Sequence, residues 1–268
     1  MFYGTIVSDK FLEETKLKLF DNIAGFNAIA GAVLSVSEYK KPIDEAKAAG
    51  DFDRERELIV KAANQWGDRV VDYFKADINV IHPENLPDHG PVVYICNHQS
   101  YADVLTFFHV IRKHQVSFIA KDALGKIPVF GDWTLRTRGI CIHRGDARAS
   151  LQTINEGVGY LKQGFSLVIF PEGTRSRSSE IGEFKAGSFK LATKARVPIV
   201  PVTIDGGYKT FEETGAMTKG VHIDFMVHPA IETAGLSRQE LAGLHEKVED
   251  IVRSGLEEIL AGKYSRTE

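Results

Sequence analysis

The amino-acid sequence predicts an α/β fold preceded by an N-terminal helical hairpin. From about residue 78 onward, short apolar runs rich in β-branched residues alternate with stretches of helical pattern. Such alternation is typical of an α/β domain whose sheet is buried on both faces. Before that point, apolar side chains recur at helical spacing. The chain of 268 residues is long enough for one large domain with an accessory segment.

The N-terminal third contains two predicted amphipathic helices, the second of which can be capped by Asp51. The two apolar stripes consist of Leu19, Ile23, Phe26, Ala30 and Val33 in the first helix and of Ile59, Ala62, Trp66, Val70 and Phe74 in the second. The pattern alone leaves two interpretations open: packing on the main domain, or anchoring at a membrane surface. The apolar run 23–36 is shorter than the roughly 20 residues that a membrane span needs, so we expect a helix that does not span.

The α/β portion is predicted from six apolar runs and the helical stretches between them. The runs are VVYIC (92–96), VSFIA (116–120), GICIH (139–143), SLVIF (166–170), VPIVPVTI (197–204) and VHIDFMV (221–227). Helical patterns cover 148–163 and 186–196, and a capping box at 237–240 opens a closing amphipathic helix. We therefore expect a helical pair over 1–76, an α/β domain over 77–262 and a disordered tail over 263–268.

The charge of the chain narrows the classes of partner. The net charge is −3, which gives no indication of a nucleic-acid partner. Nine histidines are present, but no cluster of residues has the spacing of metal ligands, so we expect no metal site.

The stretch NHQSYAD (97–103) follows an apolar run and precedes a helical pattern, and it has two interpretations. In the structural one, Ser100 and Asp103 form a capping box and His98 is a loop residue. In the catalytic one, the strand-to-helix turn brings the Asp103 carboxylate to one nitrogen of His98. The carboxylate then fixes the tautomer while the other nitrogen takes a proton. Within a regular helix, residues five apart would point away from each other, so the pairing depends on that turn.

The remaining motif blocks decide between these interpretations. They are GICIHRGD (139–146), FPEGTRS (170–176), GEFKAGSFKLA (182–192) and VPIVPV (197–202). Together with NHQSYAD, and in this order, they resemble the 1-acylglycerol-3-phosphate acyltransferase family of bacterial type. The resemblance covers residues from about 78 to about 230. It implies a glycerolipid acyltransferase-type αβ domain with a mixed central sheet.

The resemblance also implies an activity. The family transfers an acyl chain from acyl-coenzyme A or acyl-carrier protein to the free sn-2 hydroxyl of lysophosphatidic acid, giving phosphatidic acid in phospholipid synthesis. Carried over, His98 is the general base, and Asp103 orients it. The thiolate is a good leaving group, so neither a metal nor a covalent acyl-enzyme is needed, and the acyl thioester is a co-substrate rather than a cofactor.

The acceptor phosphate requires cationic side chains, preferably an arginine that binds in bidentate fashion. The family resemblance assigns this role to Arg175, with Lys121 and Arg144 as further candidates. The supporting residues are Asn97, Glu172, Gly173 and Thr174. Residues 162–196 carry seven Lys or Arg against three acidic residues, which predicts a local positive potential that attracts anionic lipid and phosphorylated donors.

The sequence departs from the family where Asp132, Thr134, Thr137 and Cys141 stand at positions expected to be apolar. There are two explanations for these polar residues. One is peripheral attachment to the membrane, and the other is a chain altered for solubility, which would make the protein soluble. We expect a peripheral or shallowly embedded enzyme at the cytoplasmic face of the membrane, with an anionic membrane surface as partner. The alternatives are an acyltransferase that uses glycerol-3-phosphate or another lysophospholipid, and a non-catalytic phospholipid-binding homologue.

Overall fold

The computed structural model describes residues 2–121, 125, 130–142 and 147–264, with the side chains of 2–17, 121 and 147–150 outside that description. Three helices open the chain: α1 (Phe2–Leu34), α2 (Lys40–Ala49) and α3 (Phe52–Phe74), with a 3₁₀ turn at Ser37–Tyr39. The side chain of Asp51 accepts a hydrogen bond from the amide of Arg54, as expected of the cap of α3. The two predicted helices are thus present, with the short α2 between them.

The first helix differs from its prediction in length and in the face that it buries. Because α1 has 33 residues and not 14, its length does not exclude a membrane span. By length and composition, the described chain has one helix that could cross a membrane, within Lys18–Ala49. Leu19 and Ile23 are 59% and 50% exposed, whereas Val33 is 1% exposed and packs with Ile59. The predicted stripe is therefore split, since its last member belongs to the protein core.

A mixed sheet forms the centre of the domain, as predicted, and it has seven strands within the described residues. The strands are β1 (Asp77–Ile81), β2 (Val93–Cys96), β3 (Val116–Lys121), β4 (Ile140–Ile142), β5 (Ser166–Ile169), β6 (Ile199–Asp205) and β7 (His222–Val227). Their spatial order is β1-β7-β6-β2-β5-β3-β4. Strands β6, β2, β5, β3 and β4 run parallel, whereas β7 is antiparallel to β6 and parallel to β1.

The five parallel strands end at the same edge of the sheet, and this edge collects the motif blocks. NHQSYAD follows β2, FPEGTRS follows β5, and Lys121 is the last residue of β3. Crevices beyond the carboxyl ends of parallel strands are the usual ligand sites of such sheets. The topology thus gathers segments that are far apart in sequence.

Within the described residues, the other helices with defined bounds are α4 (Ala102–Val110), α5 (Phe130–Arg136), α6 (Ala147–Lys162), α7 (Lys190–Ala195), α8 (Arg238–Ala242) and α9 (Leu244–Leu260). The capping box at Ser237 and Glu240 is formed as predicted. The predicted helix over 186–196 is instead a 3₁₀ turn, Ala186–Phe189, followed by α7.

Two further details of the fold differ from the predictions. Strand β1 was not among the predicted strands, because its polar Asp77 and Asn79 interrupt the apolar run. Tyr264, in the predicted disordered tail, is held in place: its hydroxyl donates to Glu258 and contacts the ring of His82. Residues 265–268 of that tail lie outside the described part of the chain.

Candidate active site

His98 and Asp103 meet in the turn between β2 and α4. Nδ1 of His98 lies 2.7 Å from Oδ2 of Asp103. The Asp103 side chain is completely buried, whereas that of His98 is 17% exposed. Because the carboxylate fixes the N–H at Nδ1, the lone pair resides on Nε2, where an incoming hydroxyl proton can be accepted.

The turn that joins the pair is built by the same carboxylate. Oδ2 of Asp103 also accepts hydrogen bonds from the amides of Gln99 and Ser100, at 2.8 and 2.9 Å. The capping function and the orientation of His98 are therefore performed by one oxygen atom. Ser100 does not cap α4 as the capping-box interpretation expected. Its Oγ accepts from the amide of Ala102 and donates to Glu212, while α4 begins after Tyr101, whose side chain makes no cap.

Glu172 holds the backbone of His98 in place. Its Oε1 accepts from the amide of His98 at 2.7 Å, and its Oε2 accepts from the amide of Gly182 at 2.8 Å. Burial raises the pKa of the Glu172 carboxyl, and the two amide donors counter part of that rise. Glu172 thus supports the site through hydrogen bonds to backbone amides.

The ring of His98 is also fixed from its face and from the preceding residue. Phe170 stacks on the imidazole, with the ring centroids 3.9 Å apart and the planes at 13°. Asn97 is buried and bonds the backbone of Ile204 in both directions, at 2.8 Å each. This bridge ties the end of β2 to β6. His98 is thus held through its ring by Phe170, through its backbone amide by Glu172 and through the neighbouring Asn97.

Arg175 lies beside this turn and is held by two contacts. Its Nη1 donates to Oε1 of Glu212 at 2.6 Å, and its Cζ lies 3.6 Å from the ring centroid of Tyr101. Glu212 also accepts from Ser100 Oγ at 2.7 Å and from the amide of Tyr101 at 3.2 Å. Arg175 is thereby connected to Ser100, whose amide is bonded to Asp103.

The other predicted residues are placed less closely. Gly173 has φ of +74°, the left-handed conformation that favours glycine, and it lies in the turn after β5. Thr174 is exposed beside Arg175. The backbone of Lys121 ends β3, two strands from β2, and its side chain lies outside the description. Arg144 also lies outside the described residues.

An apolar cavity of about 580 Å³ opens next to the turn. Its lining includes Ser100 and Tyr101 from the turn, Trp66 from α3, Phe118 from β3, Trp133 from α5 and Phe26 from α1. Thr134 and Thr137 also line it, and their hydroxyls donate to the carbonyls of Phe130 and Trp133. The hydroxyls of these two residues, which depart from the family pattern, therefore need no water as a partner, because carbonyls of α5 accept their hydrogen bonds.

Three contacts of the site were not predicted from the sequence. Glu212 sits 37 positions from Arg175, in a loop without a motif of its own. Gly207 leaves room for Asp103: a Cβ atom there would lie 2.6 Å from Asp103 Oδ1. Phe170 belongs to the FPEGTRS motif, and its position at the end of a strand, directly before Pro171, is the feature of the sequence that could have indicated this contact.

Comparison with known proteins identifies the family of the chain. Residues 77–205 match the family model described as Acyltransferase. The chain is 34% identical over 188 residues to a chloroplastic 1-acyl-sn-glycerol-3-phosphate acyltransferase of Brassica napus, covering 69% of this chain and 51% of the relative. It is 30% identical over 182 residues to the 1-acyl-sn-glycerol-3-phosphate acyltransferase of Borreliella burgdorferi, covering 68% of this chain and 72% of that protein.

A solved structure extends the likeness to nearly the whole chain. The crystal structure of the 1-acyl-sn-glycerophosphate acyltransferase PlsC from Thermotoga maritima superposes with a TM-score of 0.74 at 26% identity, covering 96% of this chain and 99% of that one. The fold and the site define an acyltransferase domain. More specifically, the chain belongs to the 1-acylglycerol-3-phosphate acyltransferase family, as its motifs predicted. It spans about half, or less, of the length of the first curated relatives: 51%, 46% and 36%.

Proposed function

We propose that the protein transfers a fatty acyl chain from an acyl thioester to the sn-2 hydroxyl of 1-acylglycerol-3-phosphate, producing phosphatidic acid. The observation that carries this proposal is the contact of 2.7 Å between His98 Nδ1 and the buried Asp103 carboxylate, at the edge of the sheet where the motif blocks meet. The relatives of the chain are named for this reaction, and the pair has the geometry of a base with its orienting group.

In the proposed reaction, Nε2 of His98 removes the proton of the acceptor hydroxyl as the oxygen attacks the thioester carbonyl. An O–C bond forms, the C–S bond breaks, and the proton held by His98 passes to the departing thiolate. Asp103 stabilises the imidazolium in between. General-base catalysis of this kind contributes roughly 10²–10⁴-fold. The co-substrate is acyl-coenzyme A or acyl-carrier protein, and no resident cofactor takes part.

Arg175 is the proposed ligand of the acceptor phosphate. Its guanidinium is close to the base in the network of contacts, through Glu212 and Ser100, and it can bind a phosphate with two parallel N–H groups. Lys121 and Arg144 are proposed to add positive charge, because β3 and β4 end at the same edge as β2.

The apolar cavity supports binding of an acyl chain next to this site. Its volume of about 580 Å³ lies within the range of small-molecule sites. It is lined by residues from the turn that carries the base, so a chain inside it would end near His98.

We place the enzyme at the cytoplasmic face of the membrane, shallowly embedded through α1. Leu19, Phe20 and Ile23 are all at least half exposed, which fits contact with lipid. The part of α1 that is free of charged residues, 22–34, has 13 residues and covers about 20 Å, less than the roughly 30 Å of the hydrocarbon core. This charge pattern favours embedding over spanning.

Vesicle co-sedimentation tests this placement. The triple variant Leu19→Ser, Phe20→Ser and Ile23→Ser should lose binding to anionic vesicles. Leu260→Ser is the matched control, because Leu260 is 59% exposed on a different helix. Equal binding by both variants would refute anchoring through α1, and resistance of the wild-type protein to carbonate extraction would show a true span.

Thiol release from acyl-coenzyme A or acyl-carrier protein tests the activity. The purified protein should release thiol in proportion to added 1-acylglycerol-3-phosphate. A stronger response to glycerol-3-phosphate or to another lysophospholipid would assign it to the alternative acceptor class. No release with any acceptor and either donor would leave a phospholipid-binding homologue without catalysis.

A further inference from the structure

The loop 211–217 connects the membrane-facing helix α1 to the proposed phosphate site. On the side of α1, the carboxamide of Asn22 bonds the loop twice. Its Oδ1 accepts from the amide of Met217 at 2.9 Å, and its Nδ2 donates to the carbonyl of Gly215 at 2.9 Å. Because both ends of one carboxamide are used, the loop is fixed in position and direction relative to the helix.

Apolar packing reinforces this junction. The rings of Phe26 and Phe211 meet edge to face, with centroids 6.4 Å apart. Gly25 lies so close to the loop that a Cβ atom there would be 2.8 Å from Sδ of Met217. Helix α1 therefore contacts both ends of the loop, and the residue that reaches the site lies between these two contacts.

That residue is Glu212, whose side chain is 3% exposed. It accepts three hydrogen bonds, from Arg175 Nη1, Ser100 Oγ and the amide of Tyr101. A buried carboxylate with three donors is strongly held, since breaking any of them leaves a charge unsatisfied. Arg175 is thus confined between Glu212 and the ring of Tyr101.

We propose that Glu212 is a positioning residue for Arg175 and that Asn22 acts on the acceptor site through it. The inference rests on the proposed function, in which Arg175 binds the acceptor phosphate. Glu212 accepts a hydrogen bond from Nη1 of Arg175, and this contact sets the orientation of the rest of the guanidinium. Docking of the loop on α1 keeps that direction, so a residue of the membrane-facing helix affects use of the phosphorylated acceptor without touching it.

An alternative role for Glu212 is competition, in which the carboxylate blocks Arg175 until the acceptor displaces it. Removal of Glu212 would then improve acceptor binding. The two roles predict opposite changes in the acceptor KM, so kinetics separate them.

The experiment uses the full-length protein in one detergent, with 1-acylglycerol-3-phosphate as acceptor and palmitoyl-coenzyme A as donor. Glu212→Ala should raise the acceptor KM about five- to tenfold, part of the effect of losing one charge-assisted bond, and leave the donor KM unchanged. Glu212→Gln keeps an acceptor oxygen and the side-chain volume, so it should restore most of the affinity. Glu213→Ala is the matched control, because Glu213 is the exposed neighbour in the same loop.

Asn22→Ala should raise the acceptor KM about threefold with unchanged vesicle binding, whereas Asn27→Ala, an exposed asparagine of the same helix, should change neither. The double variant Asn22→Ala and Glu212→Ala should be no worse than Glu212→Ala alone, because both act on one contact. Additive effects, a lowered KM in Glu212→Ala, or identical behaviour of Asn22→Ala and Asn27→Ala would overturn the inference. Arg175→Ala with an unchanged acceptor KM would instead refute the proposed phosphate site itself.

Discussion

The site has two halves that are built in different ways: the base with its carboxylate, and the proposed phosphate side. His98 and Asp103 are five positions apart, and one strand-to-helix turn brings them together. Arg175 instead meets Glu212 across 37 positions, and Glu212 meets Ser100 across 112. The pairing of the base with its carboxylate is thus local in sequence, with further support from Glu172 and Phe170, whereas we propose that the phosphate side depends on the docking of a loop on α1. We expect the base to tolerate changes in the helix and loop that weaken acceptor binding.

The largest effect should come from the base. His98→Ala should lower turnover roughly 10²–10⁴-fold while the protein stays folded, because the ring lies in a turn that Asp103 and Glu172 also hold through backbone amides. Steady-state kinetics and thermal denaturation check this. The matched control is His109→Ala, since His109 has the same Nδ1 contact of 2.7 Å, to Asp68, away from the site. Near-wild-type turnover in His98→Ala would remove the histidine from the mechanism.

Loss of the arginine should have the next largest effect, and on a different constant. A charge-assisted hydrogen bond contributes about 1.5–3 kcal/mol, so Arg175→Ala should lose roughly ten- to hundredfold in acceptor efficiency, mainly through KM. Arg175→Lys keeps the charge but not the planar fork and should recover only part. Arg177→Ala, two residues along and exposed, serves as control. If all three variants had the wild-type KM, Arg175 would not bind the acceptor.

A smaller effect is expected from crowding the orienting carboxylate. Gly207→Ala puts a Cβ atom 2.6 Å from Asp103 Oδ1, which must shift. A misplacement of this kind should lower turnover about tenfold, with little change in acceptor KM. Gly187→Ala is the control, because nothing lies within 4 Å of a Cβ atom there. A rise in acceptor KM instead of a loss of turnover would show that the two halves are not separable.

The smallest effect on activity is expected from substitution of His114, which stacks on Tyr94, but this change should measurably alter the stability. Burial lowers the pKa of His114 to about 4, and its Nε2 lies 2.9 Å from the Tyr94 hydroxyl. Because the pKa of His114 in the folded protein is below the ordinary value of about 6.5, the stability of the protein is fully present above pH 6.5. Part of that stability is lost as the pH falls toward 4. His114→Gln should reduce the acid-induced loss by about 2–3 kcal/mol. Thermal denaturation at pH 7 and 4.5 tests this, and equal losses in both proteins would contradict it.

The contrast between the halves also explains what the sequence could predict. The His98–Asp103 pair could be predicted because both residues lie within the seven-residue turn 97–103, whereas the support from Glu172 and Phe170 comes from another segment. The sheet could be predicted because its buried strands, apart from β1, are continuous apolar runs. Glu212 could not be found, since no spacing connects it to Arg175 or Ser100. The length of α1 was underestimated because charged residues before position 22 concealed a helix that continues through them.

In the proposed mechanism, His98 acts on the hydroxyl of the acceptor and Arg175 acts on its phosphate. The most direct test compares 1-acylglycerol-3-phosphate with the matching monoacylglycerol, which has the same hydroxyl and no phosphate. The ratio of kcat/KM for the two acceptors is measured in the wild type, His98→Ala and Arg175→Ala. We predict that His98→Ala lowers both values and keeps the ratio, whereas Arg175→Ala reduces the ratio about ten- to hundredfold. An unchanged ratio in Arg175→Ala, or a reduced ratio in His98→Ala, would contradict the division of labour.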